Sequence, residues 1–404
     1  MSQQPSYPTA RRIAAIGTFD GVHLGHRAVV DYLVEEGTRR GLVPAVVTFS
    51  SHPLAVVRPE RVPLALCTLE QRILRLNEAG VHDVIVLPFD EKLRRMTARD
   101  FIAFLHAGYG VEAIVLGFNN SFGSDRLKEF DGYVDAASTI GVEILQAPRY
   151  EYSGFGEASS TAIRHLIASG DVAMASRLLG HAVSLSGQVI GGRRIGRTIG
   201  FPTANLQIDP SCAIPAEGVY ACRACVVGTD KDSAGFVPSF ATATSAVAAP
   251  DAVIDATADV GADGVKVVSV VDATADGSTV SAAAGVADAD VPPVSSVPHV
   301  PPVPDEGADS SPSGFRVLSD LPCYPAMVNI GRRPTVDSSA KPQLTVEAHL
   351  IGFEGNLYGS RLDVEFLHRL RSEQKFDSLA SLISQLEADK VATLQCLSAP
   401  SITD

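Results

Sequence analysis

The chain has 404 residues, 46% of them hydrophobic, enough to bury the cores of two domains. Lys and Arg number 33 against 46 Asp and Glu, a formal charge of -13 that excludes non-specific attraction to nucleic acid or to an anionic membrane surface. No apolar run approaches the ~18 residues of a membrane span, and Met1–Ala10 is polar rather than a charged-then-apolar signal, so a cytoplasmic protein is the expectation.

The first apolar run, Ile13–Ile16, predicts a strand. The residues after it, Gly17-Thr-Phe-Asp-Gly-Val-His-Leu-Gly-His-Arg27, predict a tight turn into a helix. A helix start offers free amide N–H groups and a positive dipole end, which attract an anion. His23 and His26, spaced i,i+3, share one helical face there and can both donate to phosphate oxygens. No Walker-type G-x-x-x-x-G-K-[ST] occurs, so this is a candidate nucleotide phosphate site of another kind, the alternative being a plain turn with one satisfied histidine. Gly17 and Thr18 would add backbone donors. Asp20 has two readings: it orients a histidine or assists Mg²⁺, or it caps the helix.

Further apolar runs, Leu42–Phe49, Val84–Leu87, Ala113–Gly117 and Val142–Leu145, alternate with helical patterns. That alternation predicts a parallel sheet covered on both faces, with a ligand at the carboxyl ends of its strands. Ser159-Ser-Thr-Ala-Ile-Arg164 reads as a helix start in which Ser159, Ser160 and Thr161 present hydroxyls and amides and Arg164 grips phosphate.

From about Ser184 the pattern changes to short strands punctuated by Gly and Pro, the mark of a small antiparallel barrel, followed by an amphipathic helix over about 378–394. Gly187, Gly192 and Gly196 permit close backbone approach in a loop that also carries Arg193, Arg194 and Arg197. Thr203 and Asn205 offer hard oxygen ligands of the type that suits a divalent cation. Glu347 shares a strand face with Thr345 and His349 in Leu344-Thr-Val-Glu-Ala-His-Leu350. Residues 229–321 hold 14 acidic against 3 basic residues, almost no aromatics and a proline run, a composition that predicts a disordered insertion. Six scattered cysteines predict reduced thiols. Cys222 and Cys225 have C-x-x-C spacing, but on a strand they face opposite ways and cannot share a metal.

These segments together resemble the prokaryotic bifunctional riboflavin kinase/FMN adenylyltransferases, or FAD synthetases, from about Arg12 to Asp389. The carriers are the H-x-G-H motif, Ser159–Arg164, the P-T-A-N within Phe201-Pro-Thr-Ala-Asn205, Ala326-Met-Val-Asn-Ile-Gly-Arg-Arg-Pro-Thr335, Leu357-Tyr-Gly359 and Leu370-Arg-Ser-Glu-Gln-Lys-Phe376. Gly117-Phe-Asn-Asn-Ser-Phe-Gly123 matches the family's G-x-N-F-x-F-G at Asn119, Phe122 and Gly123 and departs at Asn120 and Ser121. Thr48-Phe-Ser-Ser-His-Pro53 departs from T-F-[DE]-P-H-P at Ser50 and Ser51, and Gly191 stands where many relatives carry histidine.

The resemblance implies an α/β fold: a Rossmann-like nucleotidyltransferase domain over 1–182 and a β-barrel riboflavin kinase domain over 183–404 that carries the insertion. It implies that ATP binds at Gly17, Thr18, Asp20, His23, His26, Ser159, Ser160, Thr161 and Arg164, and flavin at Asn119, Phe122 and Arg371. Glu347 is implied as the base for the riboflavin 5′-hydroxyl, with Mg²⁺ at Thr203 and Asn205. Small molecules (riboflavin, FMN, ATP) are the expected partners, without nucleic acid or membrane. The alternatives are a kinase whose adenylyltransferase half has weakened and a non-catalytic flavin-binding regulator.

Overall fold

The computed structural model describes residues 10–118, 121–127, 129–150, 158–192, 195–229, 266–268, 321–333 and 343–398. The chain begins β1 (Arg12–Ile16), α1 (Leu24–Arg40), β2 (Val43–Phe49), α2 (Leu54–Val57), α3 (Leu69–Glu78) and β3 (Asp83–Leu87). It continues α4 (Glu91–Arg95), α5 (Ala98–Tyr109), β4 (Val111–Leu116), α6 (Phe130–Ser138) and β5 (Glu143–Gln146). These five strands are parallel, in the order β5-β4-β1-β2-β3. Successive residues of β1 enter opposite cores: Ile13 and Ala15 join one cluster, Ala14 and Ile16 the other. A strand buried on both faces must read as a continuous apolar run, which is why the sequence pattern was legible. The strand order reverses between β1 and β4, opening a crevice at their carboxyl ends.

At the amino-terminal ends of these strands, Arg12 donates from Nε to Asp83 Oδ2 at 2.8 Å and from Nη1 to the Tyr109 carbonyl at 2.7 Å. Both charged side chains are almost wholly buried. Breaking such a pair strands the remaining charge, so Asp83→Ala is expected to cost about 3–5 kcal/mol of stability, measurable by urea denaturation.

Two helices, α7 (Ser160–Ser169) and α8 (Val172–Leu179), lead into the second unit. Its elements are β6 (Val183–Ile190), α9 (Ile195–Thr198), β7 (Ala204–Ile208), β8 (Gly218–Thr229), β9 (Lys266–Val268), β10 (Cys323–Arg333), β11 (Gln343–Leu350), β12 (Ser360–Arg371) and α10 (Leu379–Ser398). Six of these strands close a barrel in the order β10-β11-β7-β6-β12-β8, sealed by the β8–β10 ladder. Alternate residues fill it: Tyr220, Cys222 and Ala224 from β8, Ala326, Val328 and Ile330 from β10, and Leu362, Val364 and Phe366 from β12. Ile163, Ile167, Ala175 and Leu178 of α7 and α8 belong to the same apolar cluster. The P-T-A-N segment concealed β7, whose five residues are too few to stand out as a periodic pattern. No helix among the described residues is long and apolar enough to cross a membrane.

Cys225 and Cys323 face each other across β8 and β10 and form a disulfide, which corrects the expectation of six free thiols. Their separation of 98 residues hid a partnership that strand register creates. Cys222 points into the barrel and Cys225 away from it, as strand spacing requires. The residues between β8 and β10 lie outside the described set except for β9, which pairs in parallel with β3. Apart from those three residues, the expected disordered insertion falls on residues outside the description. Because the chain leaves and re-enters the barrel on neighbouring strands, deleting residues 231–314 is expected to shift the melting temperature by less than about 5 °C, a test for scanning calorimetry.

Candidate functional sites

The loop between β1 and α1 brings three residues into left-handed backbone: Phe19 (φ 45°), Gly21 (φ 79°) and Val22 (φ 42°). Two of these are not glycine, so the turn is held under strain by its surroundings. The holds are visible. The amide of Gly17 donates to the Val47 carbonyl at 3.0 Å, and the Thr48 hydroxyl donates to the Thr18 carbonyl at 3.2 Å. His181, after α8, sets Nε2 at 2.8 Å from the Gly21 carbonyl and Nδ1 at 3.0 Å from that of Ala182.

His23 is itself the N-cap of α1: its Nδ1 accepts the His26 amide at 3.3 Å. That bond leaves the proton on Nε2, so His23 presents a donor. The two imidazoles stack, with ring centroids 3.7 Å apart, and Phe19 lies 5.1 Å from His26. Burial, with the Arg164 charge beside it, lowers the His23 pKa to about 4. Burial first, then His23 and Arg72, hold His26 well below the ordinary imidazole range. Both rings are thus neutral donors rather than cations, and His26 Nδ1 is buried without a partner among the described residues.

Asp20 departs from the helix-cap reading, since His23 is the cap of α1. Its carboxylate is engaged elsewhere: Oδ1 accepts the Leu66 amide at 2.8 Å and Oδ2 accepts Arg164 Nη2 at 2.5 Å. Arg164 also donates to the Leu64 carbonyl at 2.7 Å. Ser159 caps α7 as expected, accepting the Ala162 amide at 3.2 Å, and the Ser160 hydroxyl donates to the Asp20 carbonyl at 3.1 Å. The start of α7 therefore lies against the H-x-G-H loop, where Gly25 leaves room for the Ala158 carbonyl and the His23 ring. Thr161 is exposed in the first turn of the same helix.

Sequence reasoning missed His52 and Arg72. Arg72 donates to the Thr48 hydroxyl at 3.1 Å and the Phe49 carbonyl at 3.0 Å, and the charges of Arg164, Asp20 and Arg72 all act on His52. The H-P of Thr48–Pro53 was a signal for His52; nothing local singled out Arg72 on its helix. Phe122 packs its ring against Phe101 and Tyr133, at 5.5 and 4.8 Å. Asn119 and Asn120 lie outside the described residues.

The second constellation is on the outer face of the barrel. Asn205 on β7 pairs in register with Glu347 on β11, and Glu347 with Asn329 on β10, so three hydrogen-bonding side chains form one cross-strand row. The Thr203 hydroxyl lies 3.4 Å from Glu347 Oε2. The glycine loop closes against them: a methyl on Gly192 would strike the Asn205 carboxamide, and one on Gly196 the Phe201 carbonyl. Gly187 likewise lies tight against Ile208 and the Gln207 carbonyl. His349, another residue the sequence did not assign, supports the P-T-A-N segment with Nδ1 2.8 Å from the Pro202 carbonyl. Arg197 is exposed on the loop helix, and Arg193 and Arg194 lie outside the described residues. Arg371 is taken up internally: its guanidinium meets buried Asp389 of α10 at 2.8–3.1 Å and the Ser372 carbonyl at 3.1 Å.

The neutral histidines carry a pH signature. His181 is lowered to about 4, mainly by burial, as is His23. In the unfolded chain these groups protonate near pH 6.5, so between about 4 and 6.5 the unfolded state binds more protons. Stability is therefore complete above about pH 7 and is lost on acidification, each histidine adding a slope of at most about 1.4 kcal/mol per pH unit. Denaturation midpoints between about pH 7 and 5 check this, and His181→Gln should remove one proton's share of the slope.

A family model described as riboflavin kinase matches residues 179–397, and one described as FAD synthetase matches residues 7–162. The chain is 36% identical over 380 residues to the "Bifunctional riboflavin kinase/FMN adenylyltransferase" of Escherichia coli (strain K12), covering 94% of this chain and 90% of that protein. It is 29% identical over 390 residues to the protein of the same name from Pseudomonas fluorescens, covering 96% and 94%. Among solved structures it is similar to "Crystal Structure of Macrolide-efflux Protein from Streptococcus pneumoniae", with TM-score 0.66, 24% identity and coverage of 96% and 95%, a likeness of fold alone.

Proposed function

The chain belongs to the bifunctional riboflavin kinase/FMN adenylyltransferase family, and we propose that its barrel face phosphorylates riboflavin while the His23/His26 loop adenylylates FMN. The observation that carries this reading is the convergence of Thr203, Asn205 and Glu347, residues from separate strands and a loop, on one patch of the barrel.

At the barrel site, the riboflavin 5′-hydroxyl oxygen attacks the γ-phosphorus of ATP, its proton passes to Glu347, and ADP leaves. The donor set beside Glu347, a hydroxyl from Thr203 and a carboxamide from Asn205, is all hard oxygen and fits Mg²⁺. Bound there, Mg²⁺ would neutralise charge on the ATP phosphates. Gly192 and Gly196 keep the loop backbone close enough to line the phosphates.

At the loop site, an FMN phosphate oxygen attacks the α-phosphorus of ATP and pyrophosphate leaves. The protein's share is positioning and charge stabilisation. The His23 Nε2–H, the His26 ring and the amides at the start of α1 are the donors, with Thr161 on the facing helix start. Asp20 is a brace: it fixes Arg164 beside His23, where burial first and then the Arg164 charge hold that ring neutral, so it meets phosphate as a neutral donor. Asn119 and Phe122 are assigned to the flavin side of this crevice.

Both reactions are assigned to the cytoplasm. A coupled assay of riboflavin with ATP and Mg²⁺, resolving FMN from FAD, tests the whole reading; FMN without FAD, also when FMN is supplied directly, would leave the kinase alone.

A further inference from the structure

The row Asn205–Glu347–Asn329 continues beyond the strands. The segment after β12 folds back so that Glu373 lies over the outer face of β10, where Asn329 Nδ2 donates to Glu373 Oε1 at 3.1 Å. Glu373 sits on Gly331, two residues along the same face; a methyl there would overlap its carboxylate. The Thr345 hydroxyl donates to the Gly331 carbonyl at 3.1 Å, fixing the strand under it. The segment is anchored from behind by Arg371, which holds the Ser372 carbonyl while paired with Asp389, and by Arg369, whose Nη2 lies 3.3 Å from the Ser372 hydroxyl. Glu373 is exposed, so its carboxylate is turned to solvent in a place no packing need explains.

Arg371 is engaged in the anchor, so the polar groups this end of the site offers a substrate are a carboxylate and a carboxamide. An acceptor beside a group that both donates and accepts is the chemistry that recognises vicinal hydroxyls rather than phosphate or an aromatic ring. Riboflavin carries such hydroxyls on its ribityl chain, whose terminal oxygen must reach Glu347. Neighbouring strands are about 4.8 Å apart, within the length of an extended five-carbon chain, so a substrate held at Glu347 lays its inner hydroxyls along Asn329 toward Glu373.

We propose that Glu373, held in place by Asn329 and Gly331, is a specificity-determining residue that receives the inner ribityl hydroxyls of riboflavin. The proposal rests on the assignment of Glu347 as the base of the kinase site. Discrimination of this kind is strong because a substrate lacking the hydroxyls leaves the site's polar groups unpaired.

The test compares riboflavin with a flavin bearing an N10 5-hydroxypentyl chain, which keeps the terminal hydroxyl alone, using the full chain, ATP and Mg²⁺. Glu373→Ala is expected to lower kcat/KM for riboflavin by about 30-fold, chiefly through KM, and to change that for the hydroxypentyl flavin by less than about 2-fold. Gly331→Ala, which displaces the carboxylate without removing it, should give the same pattern, and Glu373→Gln a smaller loss. Equal losses on both substrates would make Glu373 a structural residue and overturn the proposal, as would no loss on either. An unchanged thermal unfolding midpoint of the full chain reports that each variant is folded. Glu347→Gln judges the underlying reading separately: it should stop phosphorylation of both flavins, and full turnover of both would sink the base assignment whatever Glu373→Ala shows.

Discussion

Replacing Glu347 by Gln is expected to lower kcat for riboflavin phosphorylation by about two to four orders of magnitude, the range a positioned general base supplies. Gln keeps the volume of the side chain and a carbonyl oxygen for the Thr203 hydroxyl 3.4 Å away, so the β7–β11 register should survive. What it loses is the ability to take the proton of the attacking hydroxyl. KM for ATP should therefore hold within about 3-fold while turnover collapses, a split that separates lost chemistry from lost binding. Conversion of supplied FMN to FAD should proceed at the unaltered rate. A variant that makes FMN normally would show that the alcohol deprotonates without Glu347.

The complementary expectation concerns His26. His26→Ala should reduce FAD formation from FMN by about 10²–10³-fold, the usual cost of deleting one donor aimed at developing charge, with FMN formation changed by less than about 2-fold. The ring is stacked on His23 at 3.7 Å and shielded by Phe19, so truncation also leaves a small void in the loop. His26→Gln, which fills part of that space and retains a donor, should recover some of the activity and so distinguish geometry from hydrogen bonding. An equal fall in both reactions would mean that the two sites are not independent.

The scaffold was legible where burial is two-sided. Residues of β1 and β2 face a core on each side, so their runs had to be apolar, and the barrel strands β6, β8, β10, β11 and β12 alternate because their inner faces meet one core and their outer faces do not. The His23/His26 turn was legible because the residues that form it and cap the helix are adjacent in the chain. Asp20 was misread for the opposite reason: its partners, Leu66 and Arg164, lie 46 and 144 residues away, so a side chain that looked like a cap is an interior brace. The same holds for Arg72, His181 and His349, which act through carbonyls or hydroxyls brought near by folding. Arg371 shows how a family motif points to a neighbourhood without telling which side chain in it faces solvent. The disulfide needed the β8–β10 register, which no local pattern encodes.

That disulfide closes the neck of the long segment between β8 and β10. Of the six ladders in the barrel, four join a strand before the neck to one after it: β8 to β10, β7 to β11, and β12 to both β6 and β8. The two halves of the kinase unit are interleaved like the fingers of clasped hands. Cutting the backbone between them is thus expected to leave the barrel assembled, and the two pieces, expressed apart, are expected to recombine through these four ladders.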